Sequence, residues 1–376
     1  MGLLPNIARD LLPALAAVSP EAANAQTGWL ISAYALGVVV GAPTIAMFSA
    51  RFARKRLLLI LVAAFTLGSL ASALLPSFGW VFAARFLAGL PHGAYFGVAA
   101  LVAAELMGPG KRAKGVAAVL FGLTIANVIG VPSITFLGQV TNWRVAYLVV
   151  TALFAVAFAA IAWLVPFQAG DPTATVSREL QAFGRIQVWF ALLIGAVGYG
   201  GFFAVYTYIS PMVTEVTQRG IEFVPIALVV IGLGLTLGNG LGGYFADRHV
   251  MASIFGFFGL FLVSLVALAV TAQSTVGLLA CTFFLGVAAA ALAPAIQTRL
   301  MDVAGDSQMI AAALNHAAFN LGNGLGAFLG GVTVAAGLGY VAPTWTGALL
   351  CVPGILLTAL SFGVQRRSQR RLLLAA

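Results

Sequence analysis

Between Leu57 and Leu75 the chain runs nineteen residues without a charge, and stretches of this kind recur to the C-terminal end. An α-helix rises about 1.5 Å per residue, so some twenty apolar residues cross the roughly 30 Å hydrocarbon core of a bilayer. Inside that core every backbone N–H and C=O must find a partner within the protein, and a helix supplies those partners locally. Many such runs in one chain therefore predict an all-α, polytopic membrane protein. Composition agrees: AVILMFWYC make up 61% and charged residues 8%, whereas a soluble domain carries about 25% charged residues. Soluble dehydrogenases, kinases and nucleic-acid binders are excluded on that ground.

The apolar runs predict eleven spans. Five come first: Trp29–Ser49, Leu57–Leu75, Phe78–Ala104, Gly115–Leu137 and Val145–Val165. Six follow: Val188–Ile209, Phe223–Ala246, Met251–Val270, Val276–Ile296, Met309–Val334 and Thr344–Phe362. The longest polar stretch, Pro166 to Gln187, separates them. This gives an N-terminal bundle over 1–165, a linker over 166–187 and a C-terminal bundle over 188–376. Residues 1–27 are interrupted by Pro5, Asn6, Arg9, Asp10, Pro13, Pro20 and Glu21, too broken for a span. Ser19-Pro20-Glu21 is expected to open a short surface helix. With no basic leader ahead of an apolar stretch, the N-terminus does not read as a signal peptide.

The net charge of +9 belongs to topology rather than to nucleic acid. Fifteen of the 19 cations fall in loops on one side: Arg51, Arg54, Lys55, Arg56, Lys111, Arg112, Lys114, Arg178, Arg185, Arg248, Arg299 and the tail Arg366, Arg367, Arg370 and Arg371. By the positive-inside rule that side, with the C-terminus, is cytoplasmic, where it also meets anionic lipid. Eleven spans then put the N-terminus outside. Cys281 and Cys351 both lie in apolar segments and read as small buried hydrophobes, with no disulfide framework or metal cluster.

A repeat is visible. Gly37, Gly41, Ala50 and Arg51 match Gly234, Gly238, Asp247 and Arg248 at one offset of 197 residues, and Phe121 and Leu123 echo Phe319 and Leu321 at 198. Parallel repeats of this kind occur in transporters built from two similar halves. The register makes Trp29–Ser49 the second helix of its half. A further helix of about 20 residues is then expected upstream of Met1.

The residues that carry a resemblance are specific. Met1-Gly-Leu-Leu-Pro-Asn-Ile-Ala is similar to the end of a first helix; Leu30-Ile-Ser-Ala-Tyr-Ala-Leu-Gly-Val-Val-Val-Gly-Ala-Pro43 to a second; Arg85-Phe-Leu-Ala-Gly-Leu-Pro-His-Gly-Ala-Tyr-Phe-Gly97 to a fourth; Gly130-Val-Pro132 and Asn142-Trp-Arg144 to a fifth and the loop after it. Together they resemble the major facilitator superfamily, in its bacterial drug/proton antiporter branch with the arabinose-efflux-permease-like proteins. The resemblance implies two helical bundles, twelve spans in the family against eleven here, and export of a small organic compound (drug, sugar or metabolite) by proton antiport. It also implies a monomer in the bacterial inner membrane, and no cofactor, metal or enzymatic activity. The family's loop after its second helix is altered: Ala46 and Ala53 stand for glycines and Ala50 for the acid, while Gly243-Tyr-Phe-Ala-Asp247-Arg248 keeps the pattern's start. The fifth-helix motif keeps Gly122, Gly130 and Pro132, but Ser133-Ile134 replaces its final glycine pair. These departures leave a second reading: a degenerate homologue without transport, acting as a membrane partner.

Arg85 lies about 10 Å inside the span that begins at Phe78, at 1.5 Å per residue. A guanidinium there either faces water or a partner, or snorkels to a headgroup. The resemblance gives it a part in proton transfer. His92 and Glu105 are the other proton-coupling candidates; His92 and His316, both within spans, either relay protons or pack as neutral rings. No Asp or Glu stands securely in mid-span. Asn127, Tyr199, Phe203, Tyr206 and Asn320 are candidates for lining the substrate cavity. Arg51, Arg54, Asp247 and Arg248 are candidates for a cytoplasmic gate. Gly89, Gly93 and Gly97, spaced i,i+4, offer a ridge for close helix approach. Pro43, Pro91 and Pro132 sit inside spans, where each removes one helical hydrogen bond.

Overall fold

The computed structural model describes every residue except 1, 50–51, 108–111, 170–183, 305–307 and 376. The expected linker and the Arg51 gate candidate fall largely or wholly on those positions. The described residues are helical, with no strand among them. The principal helices are α1 (Leu4–Leu11), α2 (Pro13–Val18), α3 (Pro20–Ser49), α4 (Arg54–Leu74), α5 (Phe78–Gly89), α6 (His92–Met107), α7 (Arg112–Ile125), α8 (Val131–Val140), α9 (Trp143–Leu164), α10 (Ile186–Leu193), α11 (Gly200–Thr207), α12 (Val224–Thr271), α13 (Thr275–Ala304), α14 (Gln308–Ala335) and α15 (Ala342–Ala375).

Nine helices among the described residues are long and apolar enough to cross a membrane. The nine differ from the eleven expected runs at two places. Phe223–Ala246 and Met251–Val270 fall within one 51-residue stretch, Ile221–Thr271, made of two helices that meet at a kink. It breaks at His249, whose φ of −149° and ψ of 81° leave the helical region. The run Met309–Val334 corresponds to α14, which is not one of the nine.

The prolines act unequally. Pro91 separates α5 from α6, and Pro132 follows a π-helical turn over Ala126–Gly130. A proline lacks the N–H that would close the preceding turn, and a widened turn absorbs the loss. Pro43 stays inside an unbroken helix.

The N-terminal region departs from expectation. Pro20 opens a 30-residue helix rather than a short surface one, and Ser19 Oγ caps it by accepting from the Ala22 N–H at 3.2 Å. Residues before it are packed: Leu3, Ile7 and Leu11 share a core with Leu30, Val81, Trp143 and Ala146. Asp10 Oδ2 accepts from Trp143 Nε1 at 2.9 Å and pairs with Arg144 at 2.9 Å. Arg144 Nη1 in turn donates to the carbonyls of Ala73 and Leu75, each at 2.8 Å, satisfying the end of α4.

The repeat is structural. A Cβ on Gly37 would collide with the Phe86 carbonyl oxygen, and one on Gly41 with that of Leu90. One offset of 197 further on, Gly234 meets the Phe283 carbonyl and Gly238 that of Val287. Each half therefore holds the same backbone-to-backbone seam, which a side chain would force apart. Gly89 and Gly93 of the predicted ridge are in close contact, with Tyr34 and Ala42, while nothing lies within 4 Å of a Cβ at Gly97.

The two bundles meet along α3 and α14. Asn24 Nδ2 donates to the Tyr340 hydroxyl at 2.7 Å, Ser32 Oγ to the Gly324 carbonyl at 2.9 Å, and Val38 and Ala42 pack on Ala317. A second contact sets Gly232 of α12 against the Asn127 carbonyl. Nearer the basic-loop end, no described residue lies within 4 Å of a Cβ at Gly122, Gly240 or Gly243.

Candidate functional site

Arg85 projects from α5 toward two aromatic rings. Its guanidinium lies 4.3 Å from the centre of the Tyr34 ring of α3 and 5.5 Å from that of Tyr147 of α9. No carboxylate stands within ion-pair distance of it among the described residues. Cation–π contacts supply about 0.5–2 kcal/mol each, less than an unpaired cation costs in hydrocarbon on most scales. Arg85 is half-buried, and both rings lie against its guanidinium.

Tyr34 ties this cation to His92: its hydroxyl lies 2.7 Å from His92 Nδ1. The His92 ring is edge-on to Phe65 at 6.0 Å and tilted on Phe96 at 5.1 Å. Phe96 stacks on His316 of α14 at 5.6 Å and 14°. Arg85, Tyr34, His92, Phe96 and His316 thus form one connected group reaching from the first bundle into the second.

The second bundle contributes aromatics without charge. Tyr199 is edge-on to Phe203 at 5.6 Å and to Phe319 at 4.5 Å, and Phe202 stacks on Tyr206 at 5.1 Å. Asn320 lies next to Phe319 and spends its Nδ2 on the His316 carbonyl at 2.9 Å. Asn127 sits in the π turn, half-buried. Tyr34, His92, Tyr199 and Tyr206 lie deep in the protein mass yet keep part of their surface accessible.

Other candidates stand apart. Glu105 is at the last turn of α6 and pairs with Arg54, the two side chains 54% and 27% exposed. Asp247 is exposed and forms no ion pair among the described residues. Arg248 lies 3.6 Å over the Tyr244 ring and donates to the Tyr244 carbonyl at 3.1 Å. Among the described gate candidates, Arg54, Asp247 and Arg248, no ion pair joins one to another, and Arg51 lies outside the described residues. Arg299, counted above among loop cations, is 5% exposed inside α13. Its Nη2 donates to Gln187 at 2.9 Å and Ser361 at 3.1 Å, joining α10, α13 and α15. Position in a loop-end sequence does not reveal burial by neighbouring helices. No group of three metal-ligating side chains occurs among the described residues, and both cysteines are free.

Tyr34, Tyr147 and Phe96 escaped sequence reasoning. One signal was present for Tyr34: it precedes Gly37 and Gly41 at i,i+3 and i,i+7, so it shares the helix face of the seam.

The sequence profile of the Major Facilitator Superfamily matches residues 3–254 and 223–374. The chain belongs to that superfamily. It is 39% identical over 361 residues to the inner membrane transport protein YdhP of Escherichia coli (strain K12), covering 96% of this chain and 90% of the relative. It is 31% identical over 362 residues to a chloramphenicol resistance protein of Streptomyces lividans, covering 94% and 89%. The crystal structure of the human organic anion transporter MFSD10 (TETRAN) superposes with a TM-score of 0.70 at 16% identity, covering 95% of this chain and 94% of that one. That likeness shows the fold, one of two helical bundles.

Proposed function

We propose that this chain exports a small, partly apolar organic compound across a bacterial inner membrane in exchange for protons. The observation that carries this reading is the connected group at the interior: a cation with no counter-ion among the described residues, held on Tyr34 and Tyr147, joined through Tyr34 to a titratable imidazole. The export direction is our reading of the resistance that names the Streptomyces relative, and the membrane draws on the name of YdhP.

In this reading residues 1–165 and 188–376 are the two bodies that rock against each other, joined by the linker 166–187. Asn127, Tyr199, Phe203, Tyr206 and Asn320 contact the substrate, and Arg85 with His92 couples it to protons. Arg51, Arg54, Asp247 and Arg248 work at the cytoplasmic end, with the C-terminus on that side. Glu105 serves there as the partner of Arg54. The protein works as a monomer among anionic lipids. Contacts between α3 and α14 reach the Asn24–Tyr340 end, while Gly122, Gly240 and Gly243 are free of close neighbours. This conformation is then closed outside and looser inside. The chain matches about nine-tenths of each relative's length, which weighs against the degenerate-partner reading.

The test is uptake of radiolabelled chloramphenicol into everted membrane vesicles with an acidic interior. Arg85→Gln is expected to lower uptake about tenfold or more at unchanged membrane abundance. Unchanged uptake in that variant removes the reading.

A further inference from the structure

Exchange for protons needs a group that gains and loses a proton where both faces can reach it in turn. The ten Asp and Glu residues are the usual suppliers. Among the described residues, Asp10, Glu21, Glu105, Glu215, Glu222, Asp247 and Asp302 all stand in end turns of helices, at the kink or in loops. Of the three histidines, His249 is exposed at the kink of α12. His92 lies inside the apolar segment Phe78–Met107, and His316 inside α14.

Their placement is unusual in one respect. His92 belongs to α6 of the first bundle and His316 to α14 of the second, and a single phenyl ring, Phe96, packs against both. Around His92 stand Tyr34 from α3, Arg85 from α5, Phe65 from α4 and Tyr95 on its own helix, with Tyr147 of α9 on the far side of Arg85. On the His316 side, Asn315 bonds to Gln297 of α13 at 3.5 Å, and Phe319 leads to Tyr199. No carboxylate enters this neighbourhood among the described residues.

We propose that His92 and His316, one from each bundle, are the proton-binding site of the transport cycle, and that the proton competes there with a hydrogen-bond donor of an uncharged substrate. This rests on the proton-exchange reading above and names its site and substrate class. A neutral imidazole offers one lone pair, and which nitrogen carries it depends on the tautomer. When Nδ1–H donates to Tyr34, Nε2 accepts from a hydroxyl or amide of the substrate. Protonation turns that acceptor into a donor, and the substrate loses its partner. The proton comes from water on one face and returns to water on the other, and no covalent bond changes. A second positive charge beside Arg85, with no acid near, also makes the site hostile to organic cations. Because the two rings sit on different bundles, like charge on them opposes the Phe96-mediated contact, so protonation bears directly on how the bundles sit.

The test uses the full chain in proteoliposomes with chloramphenicol, an uncharged compound with hydroxyl and amide donors, and tetraphenylphosphonium, an organic cation. His92→Gln and His316→Gln should each lower gradient-driven chloramphenicol accumulation about tenfold. The counterflow that remains should lose its dependence on pH. Dicyclohexylcarbodiimide, which modifies buried carboxyls, should leave the wild type active, and tetraphenylphosphonium should not be accumulated. A wild-type pH profile in either variant overturns the proposal, as does carbodiimide inactivation or accumulation of the cation. A second measurement is independent of transport: NMR titration of labelled histidine in nanodiscs. His316→Gln should move the His92 midpoint, as coupled sites require; unaltered titration of His92 overturns the proposal. Should the wild type carry neither solute, the export reading fails, and the titration alone decides the proton site.

Discussion

Gly37 and Gly41 rest on the carbonyls of Phe86 and Leu90; at the same 197-residue offset Gly234 and Gly238 rest on those of Phe283 and Val287. The interior chemistry of the two bundles does not follow that register. At the offset, Arg85 becomes Thr282, His92 becomes Ala289 and Tyr34 becomes Ile231. All three replacements are buried, and Thr282 spends its hydroxyl on the Leu278 carbonyl of its own helix. The seam admits only glycine, because backbone faces backbone. The interior positions carry no such steric demand, so one bundle can hold the charge and the other hold only packing at matching places.

The sharpest way to break this comparison is to fill the seam. Gly41→Leu and Gly238→Leu should each cost about 3 kcal/mol or more, the scale of severe overpacking, read as lost membrane yield and a lower Tm by scanning fluorimetry. The two effects should match. A tolerated Gly238→Leu beside a ruined Gly41→Leu would show that the seams are not equivalent.

Next comes the interior difference. Arg85→Gln should cut transport about tenfold or more, whereas Thr282→Val, at the matching place, should change it less than about twofold. Arg85→Lys keeps the charge but gives up the planar face that lies on Tyr34 and Tyr147, and should fall between them. Equal losses at positions 85 and 282 would mean that the bundles contribute alike.

How far the sequence foretold these features depends on the range of the forces involved. Spans are local: twenty apolar residues declare themselves, and Arg85 stands out because charge is scarce around it. The repeat was legible because glycine has no substitute at a backbone contact. Tyr34 was not singled out, since its role comes from Arg85 on another helix and His92 on a third. Arg299 was misplaced because the side chains that bury it, Gln187 and Ser361, lie 112 and 62 residues away. Asp10 read as an interruption of an apolar run, while its purpose, accepting from Trp143 and Arg144, is set by a contact 133 residues distant.

Two polar contacts far from the centre sharpen the contrast between bundle-to-bundle and within-bundle bonds. Asn24 and Tyr340 are 6% and 7% exposed and join the two bundles. Asn24→Ala should cost about 1–2 kcal/mol and loosen that end, read as faster labelling of a cysteine placed beside it. Burial pushes the Tyr340 phenol above its ordinary 10.0, with Glu21 and Glu215 adding to the shift and the Asn24 bond opposing it. A raised phenol favours the protonated form in the fold. Its contribution is therefore whole below pH 10 and declines as pH climbs through the higher folded value.

Asp10 within the first bundle should matter about as much. Asp10→Ala strands Trp143 Nε1 and removes one anchor of Arg144, at about 1–2 kcal/mol, while the bonds from Arg144 to Ala73 and Leu75 limit the damage.

The smallest effect belongs to Arg54 and Glu105. The pair joins α4 to α6 at the basic-loop end with both side chains partly exposed, and such pairs contribute about 0.2–1 kcal/mol. Glu105→Gln should leave Tm within a degree or two and become harder to detect as salt rises, because screening already weakens the pair. Its value lies in transport. If Glu105 carried the proton, Glu105→Gln would abolish accumulation at an unchanged Tm, and the interior histidines would be spectators. If accumulation persists with its pH profile intact, the proton is bound deeper in, on the bundle-to-bundle side where His92 faces His316 across Phe96.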